Sequence, residues 1–148
     1  MKRYIIAFIA VLACCIGASA QNPIRWRMSV RMTSAAEGEV TLRALVEPGW
    51  HLYGTTLPDN GPKPTRFEFA LKGVELTGTL EASRAPLSQL DPLFNMQLNW
   101  WDSNVEFKQR FKLVNAEGAR ISATVHYMGC NNKNCLPPKS QTLTYNFK

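Results

Sequence analysis

An all-β fold, a sandwich or a barrel of antiparallel strands, is predicted by three observations on the sequence. Apolar and polar residues alternate with a period of two in a series of short segments. No long stretch has the 3.6-residue period of an amphipathic helix. Residues that favour turns separate the segments, at positions 37–38, 48–49, 60–62, 102–104 and 117–118.

The alternating segments, taken in chain order, predict eight or nine short strands. They lie at residues 26–32, 40–46, 50–57, 67–69, 74–80, 96–100, 105–113, 121–127 and 143–147. Each has one apolar face, so we expect each sheet to keep one side in water, as antiparallel sheets do. The Pro- and Gly-rich stretch at 58–64 is predicted to be an ordered loop, because patterned segments flank it closely.

Residues 1–20 are predicted to be a secretory signal peptide. Two basic residues precede an apolar run at 4–16, and the small residues Ala-Ser-Ala at 18–20 form a cleavage site. Residues 21–148 would then form a single domain, which is long enough to bury its own core. Such a protein leaves the cytoplasm, and the periplasm is the predicted location, where disulfides persist.

Composition excludes two other classes of protein. The remaining sequence holds no apolar run long enough to span a bilayer, so no transmembrane span is expected in the mature chain. The net charge of +6 is dispersed, and Arg25, Arg27 and Arg31 alternate with apolar residues as on a solvated strand face, so nucleic acid is not an expected partner. A lipid tether at Cys14 is a less favoured alternative to cleavage after residue 20.

Chemistry is concentrated in the segment YMGCNNKNCLPP, residues 127–138, which joins the last two predicted strands. Cys130 and Cys135 lie close enough in sequence for a disulfide, and we expect the loop to be polar and exposed. A structural disulfide is the ordinary interpretation in a secreted β domain. A six-residue ring contributes only about 2 kcal/mol through chain entropy, however, against about 4–5 kcal/mol for a long one. A redox-active pair is therefore the alternative hypothesis.

A metal site is a third interpretation of the same segment, and we do not favour it. His126 is near the two cysteines in sequence but alternates with apolar neighbours, so it should face solvent. Four ligands close a structural zinc site, and the four-residue gap between the cysteines is at the wide end of the usual spacing.

Three motifs together resemble the N-terminal periplasmic domain of the thiol:disulfide interchange protein DsbD. They are PGWHLY at 48–53, GPKPT at 61–65 and YMGCNNKNCLPP at 127–138, and the resemblance covers nearly all of residues 21–148 in order. It implies an immunoglobulin-like β-sandwich that relays reducing equivalents from a thioredoxin-like donor to oxidised periplasmic proteins. No cofactor is expected, since thiol–disulfide exchange needs only the two cysteines.

The resemblance also implies roles for individual residues. Cys130 and Cys135 would be the redox pair, with Cys135 forming the mixed disulfide and Cys130 resolving it. Tyr53 matches an aromatic position near the cysteines, whereas His51 departs from that pattern. Two residues are assigned to the cap of the family domain, in the sequence DPLFNM at 91–96: Phe94 as the shielding ring, with a plain core aromatic as the alternative, and Asp91 beside it.

Two further expectations concern what accompanies the domain and what else it could do. The sequence stops soon after the last predicted strand, so we expect a stand-alone module whose protein-disulfide reductase or interchange activity depends on separate partners. The principal alternative is a non-catalytic binding module with a structural disulfide, using Trp50, Trp100 and Trp101 as an aromatic surface. Because Trp100 and Trp101 are adjacent, they point to opposite faces of a strand, and we expect one to be exposed.

Overall fold

A computed structural model describes residues 22–148 of this protein. The predicted signal peptide and Cys14 lie outside these residues. Within the described part, no residue is helical, and no helix there is long and apolar enough to cross a membrane. The predicted all-β fold is confirmed.

Residues 22–148 form eleven antiparallel strands in three sheets, which together make an immunoglobulin-like β-sandwich. The first sheet has the order β1 (Ile24–Met32), β2 (Glu37–Val46), β8 (Val105–Leu113) and β5 (Val74–Ala82). The second has the order β10 (Gly129–Cys130), β3 (His51–Tyr53), β7 (Met96–Trp101) and β6 (Leu87–Asp91). The third has the order β11 (Lys139–Asn146), β9 (Arg120–Tyr127) and β4 (Arg66–Lys72).

The main core lies between the first and third sheets and is built by the alternation that the sequence shows. In β2 and β9 every second residue is buried, and the arginines of β1 alternate with the buried Ile24 and Trp26. Trp26, Phe67 and Phe107 pack on one another, with ring centroids 4.7–5.8 Å apart. Burial of such side chains contributes roughly 1.5–3 kcal/mol each, so this core supplies much of the folding free energy.

Two strands of the second sheet were not predicted. β6 forms an edge of its sheet and exposes four of its five residues, so the sequence LSQLD carries no buried alternating face. β10 is only two residues long and exists because it pairs with β3. Neither strand has a local pattern of its own, since both are specified by the partner strand.

The second sheet also corrects the expectation that every strand has one face in water. All three residues of β3 are buried, because this strand is covered on both sides. Trp101 points into the main core and Trp100 to the opposite face, and they are only 2% and 7% exposed. The expectation that one of these tryptophans is exposed is therefore wrong, since a second small core covers the outer face of this sheet.

Candidate functional site

The two cysteines form a disulfide across a short hairpin that extends from β10. Cys130 and Cys135 face each other as an antiparallel pair with Cα atoms 4.1 Å apart. Hydrogen bonds from Asn131 N–H to Asn134 O and from Leu136 N–H to Gly129 O flank the pair. This is the narrow, non-hydrogen-bonded type of pair, in which side chains approach most closely. The hairpin therefore holds the two sulfur atoms in bonding range.

The turn between the cysteines is organised by one side chain. Asn131 Oδ1 accepts hydrogen bonds from the backbone N–H groups of Lys133 and Asn134, at 2.8 and 2.6 Å. An Asn that accepts from residues two and three positions ahead forms an Asx turn, which fixes a tight reversal locally. The NNKN sequence thus explains why the loop closes without help from the rest of the fold.

The two cysteines differ in their exposure to solvent. Cys130 is completely buried, while Cys135 is partly exposed and packs against the edge of the small core that contains Cys130. Asn132, Lys133 and Asn134 are exposed, as expected for this loop. The expectation that the pair as a whole is exposed is wrong for Cys130, because its strand pairs with β3 beneath the small core.

Strand pairing brings the predicted residues of β3 to the disulfide. His51 is the cross-strand partner of Cys130, and Tyr53 is the partner of Trp100 in β7. Partners in an antiparallel pair share a face, and residues two apart in one strand do so as well. His51, Tyr53, Trp100 and Cys130 therefore lie on one face. The imidazole stacks on Trp100 at 4.7 Å and meets the ring of Tyr53 edge-on at 5.0 Å.

His51 is a buried titratable group within this cluster. It is 5% exposed, and among residues 22–148 its Nε2 has no hydrogen-bond partner. Burial lowers the pKa of His51 below its ordinary value of 6.5, against the opposing effect of the negative charges of Asp91 and Asp102. Desolvation is the larger effect because it penalises the charged imidazolium, so the ring is neutral at neutral pH.

The cap predicted at residues 91–96, here named the cap turn, joins β6 to β7 and is tied to β3 through Asp91. The Asp91 carboxylate is 1% exposed, and its Oδ2 accepts a 2.6 Å hydrogen bond from the Tyr53 hydroxyl. Its Oδ1 accepts hydrogen bonds from the N–H groups of Leu93 and Phe94. One buried carboxylate thus holds both the turn and the tyrosine beside the cysteines.

That arrangement also affects Tyr53. Burial, and secondly the hydrogen bond to Asp91, raises the pKa of the Tyr53 phenol far above its usual value of 10. The phenol therefore stays protonated and keeps donating to Asp91 throughout the physiological range.

Phe94 lies at the tip of the cap turn and packs on the small core that includes Cys130. Its ring meets that of Tyr53 edge-on at 6.2 Å, and it is partly exposed. The structure thus brings together all six residues named from the sequence, and it places Phe94 at the rim of the small core. Their roles in exchange stay predictions. For the purposes below, the cysteine site comprises these six residues and Trp100.

His126 is separate from the cysteine site. Its Nδ1 lies 2.7 Å from Ser140 Oγ, and its Nε2 lies 3.2 Å from Glu68 Oε2, on the outer face of the third sheet. Among the described residues no group of three or more His, Cys, Asp or Glu side chains is close enough to hold a metal ion.

Sequence reasoning missed the contribution of Trp100 and of the loop that follows β3. Thr65 is buried, and its hydroxyl donates a 2.6 Å hydrogen bond to the carbonyl of Tyr53. Gly54 lies so near Asn99 that a Cβ on it would be 1.6 Å from that side-chain oxygen, so the close approach requires glycine. The GPKPT motif that ends at Thr65 was the available signal for this loop.

Comparison with known proteins finds a family that matches nearly all of the described residues. Residues 21–146 match the family described as "Thiol:disulfide interchange protein DsbD, N-terminal". No curated protein sequence matches the chain significantly.

Solved structures share the fold at low sequence identity. The N-terminal periplasmic domain of ScsB from Proteus mirabilis has a TM-score of 0.62 and 15% identity, over 84% of this chain and 46% of that one. This chain therefore spans about half the length of that ScsB chain. The reduced DsbD N-terminal domain of Neisseria meningitidis has a TM-score of 0.45 and 14% identity, over 83% and 90% of the two chains.

Proposed function

The chain belongs to the family of DsbD N-terminal domains, and from that membership we propose that it is a periplasmic thiol–disulfide exchange module. It relays reducing equivalents from a thioredoxin-like donor to oxidised partner proteins through Cys130 and Cys135. The observation that carries the proposal is the unequal burial of the two cysteines of a disulfide that lies beside a cap turn.

Unequal burial of the two cysteines supports one order of events. When the module is being reduced, a donor thiolate attacks Sγ of the partly exposed Cys135, and the electron pair of the broken disulfide leaves with Sγ of Cys130. When the module reduces a partner, Cys135 attacks the partner's disulfide. The Cys130 thiol then attacks Cys135 Sγ and releases the partner as a thiolate. Attack on the completely buried Cys130 by a protein would require the hairpin to open.

The cap turn supports a selective relay. Phe94 packs over the small core, and Asp91 links the turn to Tyr53 by hydrogen bonds on both carboxylate oxygens. A shielded sulfur reacts slowly with small thiols, so exchange depends on a partner whose docking displaces the turn. In this scheme Phe94 is the movable part and Asp91 with Tyr53 is the anchor.

The alternative of an aromatic binding module loses support because Trp100 and Trp101 are both buried. The remaining question is whether the disulfide is a structural one. Its reduction potential, measured by equilibrating the purified protein with thiol/disulfide buffers, decides this. We expect a potential above about −300 mV, in the range of labile disulfides. A much lower potential, or reduction only on unfolding, would make the disulfide structural and end the proposal.

A matched pair of variants tests the assigned order. Cys130→Ser leaves Cys135 free, and Cys135→Ser leaves Cys130 free. On incubation with oxidised glutathione, mass spectrometry should show that Cys130→Ser is glutathionylated faster than Cys135→Ser, because Cys135 is partly exposed beside the cap turn while Cys130 is completely buried. Equal rates in two folded variants would contradict the order.

A further inference from the structure

The cross-strand neighbour of the buried cysteine has a ring nitrogen that makes no hydrogen bond within residues 22–148. His51 is paired in register with Cys130 and shares its face of the sheet. Cβ atoms of such partners lie roughly 4.5–5.5 Å apart, which is within reach of an imidazole nitrogen and a cysteine sulfur. The Nε2 atom of His51 is buried and has no hydrogen-bond partner among residues 22–148.

An unpartnered polar atom in a buried position is costly and calls for an explanation. In the oxidised protein the sulfur of Cys130 is bonded to Cys135 and carries no proton. In the reduced protein the Cys130 thiol would have a hydrogen to donate and no water to receive it, because the residue is completely buried. A neutral imidazole opposite this thiol supplies the missing acceptor.

We propose that His51 is the general base that deprotonates the Cys130 thiol when Cys130 resolves a mixed disulfide. This inference rests on the proposed exchange function and deepens it, since His51 was assigned from the sequence only a place near the cysteines. A buried thiol is a poor nucleophile until it loses its proton, and a positioned base contributes about 10²–10⁴-fold to such a step.

Resolution of the mixed disulfide involves one proton transfer and one exchange of disulfide bonds. The proton of Cys130 Sγ moves to Nε2 of His51, and the sulfur attacks Sγ of Cys135, which is disulfide-bonded to the partner. The Cys130–Cys135 bond forms, the bond to the partner breaks, and its electron pair leaves on the partner's sulfur as a thiolate. The imidazolium then returns its proton to that thiolate or to water, so the protein ends oxidised and the partner reduced.

The residues around His51 suit a base that is neutral before the proton transfer and positively charged after it. Burial lowers the pKa of His51, which keeps the imidazole neutral at neutral pH, so that one ring nitrogen can accept a proton. Two carboxylates act on the ring, namely Asp91 from the cap turn and Asp102 after β7, and both favour the imidazolium once it forms. Other ionisable groups nearby are the protonated Tyr53, which donates to Asp91, and Arg84, 3.9 Å from Asp102.

A reaction in two phases tests the role of His51 separately from the attack by Cys135. Reduced protein attacks 5,5′-dithiobis(2-nitrobenzoate) through Cys135 and releases one chromophore. Resolution by Cys130 then releases the second. In the variant His51→Phe, which keeps an aromatic ring against Trp100 and Tyr53, we expect the second phase to slow by at least about 100-fold at pH 7. The first phase should change little, because Cys135 does not depend on this base.

The pH dependence of the second-phase rate distinguishes a base from a residue that only supports the structure. The second-phase rate of the wild-type protein should level off near neutral pH, above the lowered pKa of His51. In His51→Phe it should keep rising tenfold per pH unit towards an ordinary thiol pKa of about 8.5. His126→Phe is the control, because it removes the other histidine, on the third sheet and outside the cysteine site.

The outcomes distinguish the two proposals. If the wild-type protein shows no first phase, exchange through Cys135 fails and the proposed function falls. If both phases occur and His51→Phe matches the wild-type second phase in rate and pH profile, His51 is not the base. Should His51→Phe not fold, the ¹⁵N resonance of Nε2 in the wild-type protein decides. It should shift on reduction as the Cys130 thiol donates to it, and an unchanged resonance would overturn the inference.

Discussion

The main core and the cysteine site are both buried, but they bury different kinds of side chain. The core between the first and third sheets is filled by aromatic and aliphatic residues. Within residues 22–148, four polar or charged residues are buried, and three of them belong to the cysteine site or contact it directly. These are His51, Asp91 and Thr65, while Gln109 lies elsewhere in the first sheet.

The different side chains buried in the main core and in the cysteine site indicate different constraints on the two regions. Apolar packing gives stability in proportion to the area that it removes from water and tolerates exchange of one apolar residue for another. Each buried polar group needs a hydrogen-bond partner. Replacing both partners by apolar groups of the same shape can leave the stability of the protein unchanged. The concentration of buried polar groups around Cys130 fits the proposed exchange function, in which chemistry as well as stability determines the residue types there.

The largest expected effect comes from opening the main core. Phe107 is 1% exposed and packs against Trp26, Phe67 and Trp101. We expect Phe107→Ala to lower the free energy of unfolding by about 3–5 kcal/mol in urea denaturation of the oxidised protein, because it leaves a cavity among rings. The rate at which the disulfide is reduced in the folded state should be unchanged. A loss below about 1 kcal/mol would mean that the core collapses around the gap.

A polar substitution in the cysteine site should cost less stability but change reactivity. Tyr53→Phe removes the hydrogen bond to Oδ2 of Asp91 and leaves that buried oxygen without its donor. We expect a loss of about 1–3 kcal/mol in the free energy of unfolding and faster reduction by glutathione, because the cap turn loses its anchor. Asp91→Asn completes a double-mutant cycle. Strictly additive effects in that cycle would show that the bond does not couple the two residues.

The pH dependence of stability should report on His51. Its folded-state pKa is lowered, so the unfolded chain binds a proton below about pH 6.5 more readily than the folded chain does. The contribution of the neutral His51 to the free energy of unfolding should therefore be complete above pH 6.5. It should be lost as the pH drops below that value, by at most about 1.4 kcal/mol per pH unit. Thermal denaturation of the wild-type protein and His51→Phe from pH 5 to 8 checks this. The variant should lack that part of the decline.

The smallest effect on stability is expected at the tip of the cap turn. Phe94 is partly exposed and packs only at the edge of the small core. We expect Phe94→Ala to change the free energy of unfolding by less than about 1 kcal/mol. Reduction of the disulfide by glutathione should become about tenfold faster, which corresponds to about 1.4 kcal/mol of lost shielding. Leu71→Ala, at an exposed leucine in β4 on the third sheet, is the control and should not affect the reduction rate.

Much of the fold could be predicted from the sequence because alternation is a local property. β2, β8 and β9 each bury every second residue, and their positions were predicted to within a few residues. β6 and β10 could not be found in this way, since β6 has no buried face and β10 is two residues long. The exposure of one of the two adjacent tryptophans was predicted wrongly, because alternation does not reveal that the second sheet is covered on both sides.

The amino-acid sequence was sufficient to predict an all-β fold, the closeness of two cysteines in one short loop, and the resemblance to the DsbD family, which in turn implied a β-sandwich. These depend on residues close to one another in the chain, where spacing and turn chemistry act directly. Three features could be seen only in the folded protein: Cys130 is buried while Cys135 is partly exposed, Asp91 holds Tyr53, and His51 lies opposite Cys130. Each of these depends on strand register and on burial by distant segments, which are cooperative properties of the packed chain.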